Sequence, residues 1–372
     1  MQSVTIGKNQ AGQRLDKFLH KYLPLAGSGF LYKMLRKKNI TLNGKKAQGS
    51  EILALNDEVC CFFSKETFEK FSGRPAEEGC QEQKNGEYPL SGRTKLLLKD
   101  YSAAFERLQG IRVLYEDDDF VFLDKPAGVL TQKAAAGDLS VNEWLIGYLL
   151  KNNPGFAKEL ETFRPGVCNR LDRNTSGIVL CGKSLEGLQY LGKCIKEHRM
   201  RKLYRTICVG KIEGPMTLEG FLHKEDADNR VTVRQWSASG KTMGTPSGRG
   251  PSSEEPSKGE YSPICTVCRP LKATHDYTLA EVELVTGKSH QIRAHLASIG
   301  HPLIGDAKYG RESVNRRMRE EYGLRNQLLH ACKVQFPEEE SGAGSRLGGM
   351  TVSSPCPEVF LQVQAGLGLD RI

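Results

Sequence analysis

The sequence predicts an α+β protein: a main domain on a mixed, largely antiparallel sheet with flanking helices, preceded by a small α/β module. Three observations predict this. From Ile111 onward, strand-like apolar runs outnumber helical ones, and several are linked as hairpins. The 372 residues suffice for two domains, at least one with a sizeable core. A polar stretch with Gly, Pro and mixed charge, residues 63–109, separates the patterned N-terminal segment from the rest and reads as a linker.

Residues 1–62 form the first unit. In "RLDKFLHKYL" the positions Leu15, Phe18, Leu19, Tyr22 and Leu23 follow helical spacing. A second helix from about Ser28, with Ser28 as its cap, gathers Phe30, Leu31, Met34 and Leu35 on one face. "ITLNGKKA" reads as strand, Asn43-Gly44 turn, strand, and "DEVCCFF" as a further strand. Lys33, Arg36, Lys37, Lys38, Lys45 and Lys46 are six basic residues in a run with no acidic one. A solvated helix face explains such a run by itself. A basic helix followed at once by a basic hairpin also makes a continuous surface for phosphate backbones.

The linker is expected to hold at most a short helix near "SAAFERLQ". The main domain spans 110–372. "VLYEDDDFVFLDKPAG" predicts a hairpin with an acidic turn, and "SGIVLCGKS" a strand. A helix follows on Leu185, Leu188, Leu191 and Ile195. "KLYRTICVG", "YTLAEVELVTG" and "LLHACKVQFP" are strands, and "SHQIRAHLASIG" is a helix capped by Ser289 and closed by Gly300. Residues 237–262, rich in Gly, Ser and Pro, read as a mobile insertion between two strands. "PEEESGAGSRLGGM" reads as a loop before a last strand, "EVFLQV".

Composition narrows the function. A net charge of +9 favours an anionic partner, nucleic acid first and an acidic membrane surface second. No eighteen apolar residues run together, so no membrane span is expected, and the start lacks the apolar core of a secretory signal. The 11 cysteines, an odd number that includes the adjacent Cys60 and Cys61, do not form a disulfide framework and fit a reducing cytoplasm. Cys265-x-x-Cys268 has no second ligand pair, so no zinc site is expected.

Four stretches can carry chemistry. "NRLDRNTSGIVL" sets Asp172 between Arg170 and Arg173, ahead of Thr175, Ser176 and Gly177. Arginines that approach a carboxylate favour its charged form, which serves either catalysis or a structural ion pair. "TGKSHQIRAHL" puts Arg293 in a helix near its apolar stripe, where an arginine usually meets a carboxylate or phosphate. Its histidines, His290 and His295, lack the His-Glu-x-x-His zinc pattern. "HRMRKLYRTICVG" embeds Tyr204 among Arg199, Arg201, Lys202 and Arg205, either a core strand with a wet face or an aromatic set to stack on a base. "DKPAGVLTQ" makes a rigid turn with Lys125, Pro126 and Gly128.

Together these stretches resemble the RluA-type family of RNA pseudouridine synthases. "NRLDRNTSGIVL" is similar to its aspartate signature, "RKLYRTICVG" to its tyrosine motif, and "ELVTGKSHQIRAHLASIGHPLIGDAKYG" to its arginine motif. "LYEDDDFVFLDKPAGVLTQ" resembles its first strand pair and "LLHACKVQFP" its closing strand. Residues 12–62 resemble the S4 RNA-binding domain that precedes the catalytic domain in many members. The resemblance implies a pseudouridine synthase fold and isomerisation of uridine without a cofactor. It makes Asp172 the essential acid, Arg293 its partner, and Tyr204 the aromatic that stacks near the base and assists its proton chemistry. Arg170 would place the flipped nucleotide. Asn169 replaces the family's commoner histidine, and Lys288 stands where many members have arginine. Thr175, Lys125, Lys202 and His290 are expected at the substrate, and Lys33, Arg36, Lys37, Lys38, Lys45 and Lys46 on RNA. The expected partner is RNA, ribosomal RNA of the large subunit first, for a monomer away from any membrane. The alternatives are the same chemistry on transfer RNA, or a non-catalytic S4-type assembly factor.

Overall fold

The structure, a computed structural model, describes residues 1–73, 90–225, 230–235, 261–338 and 342–370. The N-terminal unit runs β1 (Gln2–Thr5), α1 (Leu15–Tyr22), α2 (Ser28–Arg36), β2 (Ile40–Leu42), β3 (Lys45–Lys46), β4 (Glu58–Cys61) and α3 (Lys65–Ser72). Its four strands pair antiparallel in the order β1-β4-β2-β3. Leu15, Phe18, Leu19, Leu31 and Leu35 from the two amphipathic helices bury against Ile40, Val59 and Cys61 of the sheet. The helix periodicity and the Asn43-Gly44 turn thus act as the sequence indicates; Asn43 and Gly44 both take positive φ. Ser28 is the first helical residue and Gly27 the N-cap, a correction of one position. α3 adds Phe68 to the same core, so the N-terminal packing extends past residue 62.

The main part continues with α4 (Gly92–Arg107), β5 (Arg112–Glu116), β6 (Phe120–Lys125), α5 (Val141–Asn152), α6 (Phe156–Glu159), β7 (Gly166–Val167), β8 (Ser176–Gly182) and α7 (Leu185–Lys196). Then come β9 (Arg201–Val209), β10 (Met216–Glu225), β11 (Arg230–Gln235), β12 (Tyr261–Ala273), β13 (Tyr277–Leu284), α8 (Gln291–Ser298), α9 (Glu312–Tyr322), β14 (Leu329–Gln335), β15 (Thr351–Ser353) and α10 (Glu358–Gly366). The strands form one sheet with the path β11-β10-β12-β13-β9-β14-β8-β6-β5, to which β15 adds on β14 and β7 on β8. Only the β14–β8 pairing is parallel among the described strands, so the sheet is mixed and largely antiparallel, as expected. β6 and β8 are buried along their whole lengths, because both faces of the sheet's centre are covered. One face packs Trp144, Leu145 and Leu149 of α5 with Ile292 and Leu296 of α8; the other packs Phe120, Phe122, Ile178 and Leu180 against α7 and the C-terminal segment.

Four expectations are corrected. α4 is a sixteen-residue helix packed on α5, not a short one near its end. The run "EVFLQV" is helical, as part of α10, because Pro357 sets the helix start and Phe360 and Val363 then share a buried face. Ser289 is not the N-cap of α8; His290 stands there, in a left-handed conformation and without a side-chain capping bond. The tract after Pro337 contains a 3₁₀ turn at Ala343–Leu347. The mobile insertion expected at 237–262 lies outside the described residues, except that Tyr261 and Ser262 begin β12.

The topology delivers the site. The loop between β7 and β8, the middle of β9 and the start of α8 converge at one place. Tyr204 on β9 lies opposite Val282 of β13 and Ala331 of β14. Gly177 allows β8 to enter beside β14: its φ is 109°, and a Cβ there would lie 2.3 Å from the Ala331 carbonyl oxygen.

Candidate active site

The loop carrying Asp172 has no regular structure, so side chains hold it. Thr131 clamps the preceding residue at both ends: its hydroxyl donates to the Leu171 carbonyl at 2.9 Å and accepts from the Leu171 amide at 3.2 Å. Gly128 N–H donates to the Arg173 carbonyl at 2.9 Å, and Thr175 N–H to the Asp172 carbonyl at 3.0 Å. Gln327 Nε2 donates to Thr175 Oγ1 at 3.2 Å. Asn169, in place of a histidine, bridges to β8: its Nδ2 donates to Ile178 O at 3.2 Å and its Oδ1 accepts from Leu180 N at 2.7 Å.

Arg293 of α8 joins two acids. Its Nη1 donates to Asp172 Oδ2 at 2.8 Å. Its Nε and Nη2 donate to the two oxygens of Asp306 at 2.6 and 2.9 Å, a bidentate pair. The Asp306 side chain is fully buried, and its Oδ1 also accepts from the backbone amides of Lys308 and Tyr309. The guanidinium lies 5.3 Å from the Tyr309 ring centre. Burial opposes the charged Arg293, but Asp306 and then Asp172 hold its pKa above the ordinary value. Asp306 keeps a lowered pKa although burial works against it, through Arg293 and the two amides. An arginine fixed rigidly by one acid therefore presents a single N–H to the other.

Asp172, Arg293, Tyr204 and His290 line one cleft of about 340 Å³, together with Arg170, Lys288 and the apolar Leu171, Leu284 and Leu329. Tyr204 is buried and makes no side-chain hydrogen bond among the described residues. Burial, and then the charge of Asp172, push its phenol well above the ordinary range. Burial also pushes the His290 imidazole down, against the pull of Asp172. An anionic group, cations at the mouth and an apolar wall with an aromatic ring suit a planar polar ring attached to a sugar phosphate.

Asp172, Tyr204, Arg293, Arg170, Thr175 and His290 therefore line one cleft. Two other expectations are corrected. Lys125 does not reach the cleft: it is fully buried, and its Nζ donates to the carbonyls of Pro126, Val129 and Arg173 at 3.0, 2.8 and 2.9 Å. Lys202 shares a strand face with Tyr204 but does not line the cleft, and burial lowers its pKa. The sequence neighbours of Asp172 are not its ion-pair partners: Arg170 is exposed, and Arg173 Nε donates to the Gly128 carbonyl at 3.3 Å. Lys33, Arg36, Lys37, Lys38, Lys45 and Lys46 are all exposed on the N-terminal unit, with no carboxylate partner among the described residues. Sequence reasoning missed Asp306, Tyr309 and Thr131. A mid-helix arginine near an apolar stripe demands a buried acid, so Asp306 was findable. Nothing in the local spacing marks Thr131.

Lys125 is a positioning group. Lys125→Met would leave carbonyls without donors at about 1–3 kcal/mol each. We expect a loss of at least about 3 kcal/mol of stability and a fall in kcat larger than any change in KM. Burial pushes the Lys125 pKa from 10.5 down to about 7, against the pull of Asp172 and Asp124. Its folded value thus lies below its unfolded value, and the unfolded chain binds more protons between them. This group's contribution to stability rises from about pH 7 to about 10, and the substitution should remove that rise in urea titrations.

Comparison with known proteins agrees with this geometry. The family model described as RNA pseudouridylate synthase matches residues 119–298, which include Asp172, Tyr204 and Arg293. The chain is 27% identical over 303 residues to the ribosomal large subunit pseudouridine synthase C of Rickettsia bellii, covering 81% of this chain and 84% of that one. It is 25% identical over 341 residues to the ribosomal large subunit pseudouridine synthase D of Nitrosomonas europaea, covering 91% and 81%. In fold it is similar to human RNA pseudouridylate synthase domain containing 4, with a TM-score of 0.51 and 20% identity over 75% of this chain and 98% of that one. An isomerase domain in the matched segment, and relatives of this kind along most of the chain, lead to one assignment: residues 119–298 carry an RNA pseudouridine synthase domain, and the chain is similar to ribosomal large subunit pseudouridine synthases C and D.

Proposed function

We propose that the protein isomerises specific uridines of large-subunit ribosomal RNA to pseudouridine, with Asp172 acting on a nucleotide flipped out of its stack. The observation that carries this reading is the Asp172 carboxylate, fixed by Arg293 at 2.8 Å in a cleft that also holds Tyr204. The names of the Rickettsia and Nitrosomonas relatives favour the ribosomal substrate.

The reaction breaks the N1–C1′ bond, turns the uracil and rejoins it through C5, with no net oxidation and no water consumed. Extruding the nucleotide costs a few kcal/mol, which contacts to RNA must offset. Arg170 and Lys288, at the mouth of the cleft, hold the phosphates. Tyr204 packs against the uracil as a neutral ring. Asp172 acts at the sugar as nucleophile or base, and Arg293 aims it. The N-terminal unit serves as an S4-type RNA-binding module, and the enzyme works as a monomer in the cytoplasm. The ten described cysteines form no disulfide with one another.

Tritium release from 5-tritiated uridine in ribosomal and transfer RNA transcripts tests the activity and the substrate together. Release from ribosomal RNA is expected. Release from transfer RNA alone would move the substrate, and release from neither would remove the activity. Lys37→Ala with Lys38→Ala should weaken RNA binding severalfold and flatten the slope of log K against log salt by up to about two, with kcat at saturating RNA unchanged. An unchanged slope would take the N-terminal unit out of RNA binding.

A further inference from the structure

The isomerisation has two proton steps besides its carbon chemistry. When C5 bonds to C1′ it still carries its hydrogen, and the ring is not yet conjugated. The C5–H bond must break, its electron pair returning to the ring, and N1 must gain a proton from solvent. Some base must take the C5 proton. C5 and C1′ are bonded at that stage, so this base must stand close to the group that serves C1′.

Within the cleft the choices are few. Arg170, Lys288 and Arg293 are cations. The Gln291 amide is used on Cys265 O, Thr266, Thr286 and Lys288 N. Tyr204 holds its proton, as burial and Asp172 dictate. Asp172 is committed to the sugar in this reading, with its Oδ2 bonded to Arg293. His290 remains. Its Nε2 lies 3.9 Å from Asp172 Oδ2, too long for a hydrogen bond, and the residue lines the cleft. Its Nδ1 is 3.1 Å from the Tyr309 hydroxyl, and that oxygen accepts from Val231 N at 3.0 Å. The residue is held at φ 57° and ψ 11°. Left-handed backbone costs a non-glycine residue about 1–2 kcal/mol, and such strain collects at functional sites.

We propose that His290 is the base that removes the C5 proton, through Nε2. Nδ1–H donates to the Tyr309 oxygen and leaves the Nε2 lone pair facing the substrate. The imidazolium then releases the proton to solvent. This inference rests on the pseudouridine synthase reading above, with Asp172 acting at the sugar.

The test uses His290→Asn, which tolerates left-handed backbone and can donate to Tyr309 but cannot act as a base. General-base catalysis typically contributes about 10²–10⁴-fold, so a loss of kcat on that order is expected, with RNA affinity unchanged. Substrate deuterated at uridine C5 should show a primary isotope effect in the variant, because deprotonation becomes limiting. His290→Gly, which relieves the strain, should regain activity on addition of imidazole. A His290→Asn enzyme within about threefold of the parent, far short of the loss a base would cause, overturns the proposal. So does a loss with neither isotope effect nor imidazole rescue. An active His290→Asn beside a dead Asp172→Asn overturns this step alone, whereas an active Asp172→Asn overturns the reading beneath it.

Discussion

Asp172→Asn is expected to lower kcat by at least about 10³-fold while RNA affinity changes by less than about threefold. The substitution is close to isosteric. Its amide oxygen can still accept from Arg293 Nη1, so the loop and its clamps at Thr131, Gly128 and Gln327 have no reason to move. Only the charge disappears. A neutral amide can neither attack C1′ nor remove a proton, so the loss should fall on the chemical step and leave KM nearly untouched. RNA affinity comes mainly from phosphate contacts, and the exposed lysines of the N-terminal unit are remote from the substitution in sequence and belong to another core. Single-turnover tritium release and filter binding would read the two quantities separately. Turnover within about tenfold of the parent would mean that this carboxylate does not act on the substrate, and a large loss of binding would make it an anchor for RNA instead.

Which parts of this site were legible beforehand follows from how each signal is stored. Asp172, Tyr204 and Arg293 each stand in a short stretch with its own chemical oddity, and the elements carrying them obey local periodicity: an apolar run for β8, alternation for β13, a helical stripe for α8. The pairings between them are not local. Arg293 meets Asp172 across 121 positions and Thr131 meets Leu171 across 40, and no spacing rule encodes such distances. The flanking arginines misled for the same reason: adjacency in an irregular loop does not aim side chains at one another. Lys125 misled because it was expected at the substrate from a turn after its strand, whereas β6 carries it into the interior and three carbonyls accept its hydrogen bonds. The C-terminal "EVFLQV" is a short apolar run rich in β-branched and aromatic residues, which reads as a strand. Pro357 and the burial of Phe360 and Val363 on one side decide for a helix, and that decision belongs to tertiary packing.

Arg293→Met carries the second large effect, and it divides into two parts. The first is stability. Removing the guanidinium leaves Asp306 fully buried with its charge uncompensated, and breaking a buried pair in this way costs about 3–5 kcal/mol. The pH dependence fixes the sign. In the parent the Asp306 pKa is lowered, so its contribution is complete above the unfolded value near 3.8 and is lost as pH falls through the folded value. Without Arg293 burial dominates and raises that pKa above the unfolded value. The variant then takes up a proton on folding, and its deficit should be greatest near pH 8 and shrink toward pH 5 in urea titrations. The second part is chemistry. Adding Asp306→Asn removes the stranded charge while keeping an oxygen for the Lys308 and Tyr309 amides. Most of the lost stability should return in the double variant, but turnover should not, because Asp172 still lacks the N–H that aims it. If the double variant regained activity along with stability, Arg293 would be a scaffold for Asp306 and no part of the catalytic apparatus. If it regained neither, the amides of Lys308 and Tyr309 would depend on the ionised carboxylate itself, and the two roles would be inseparable at this arginine.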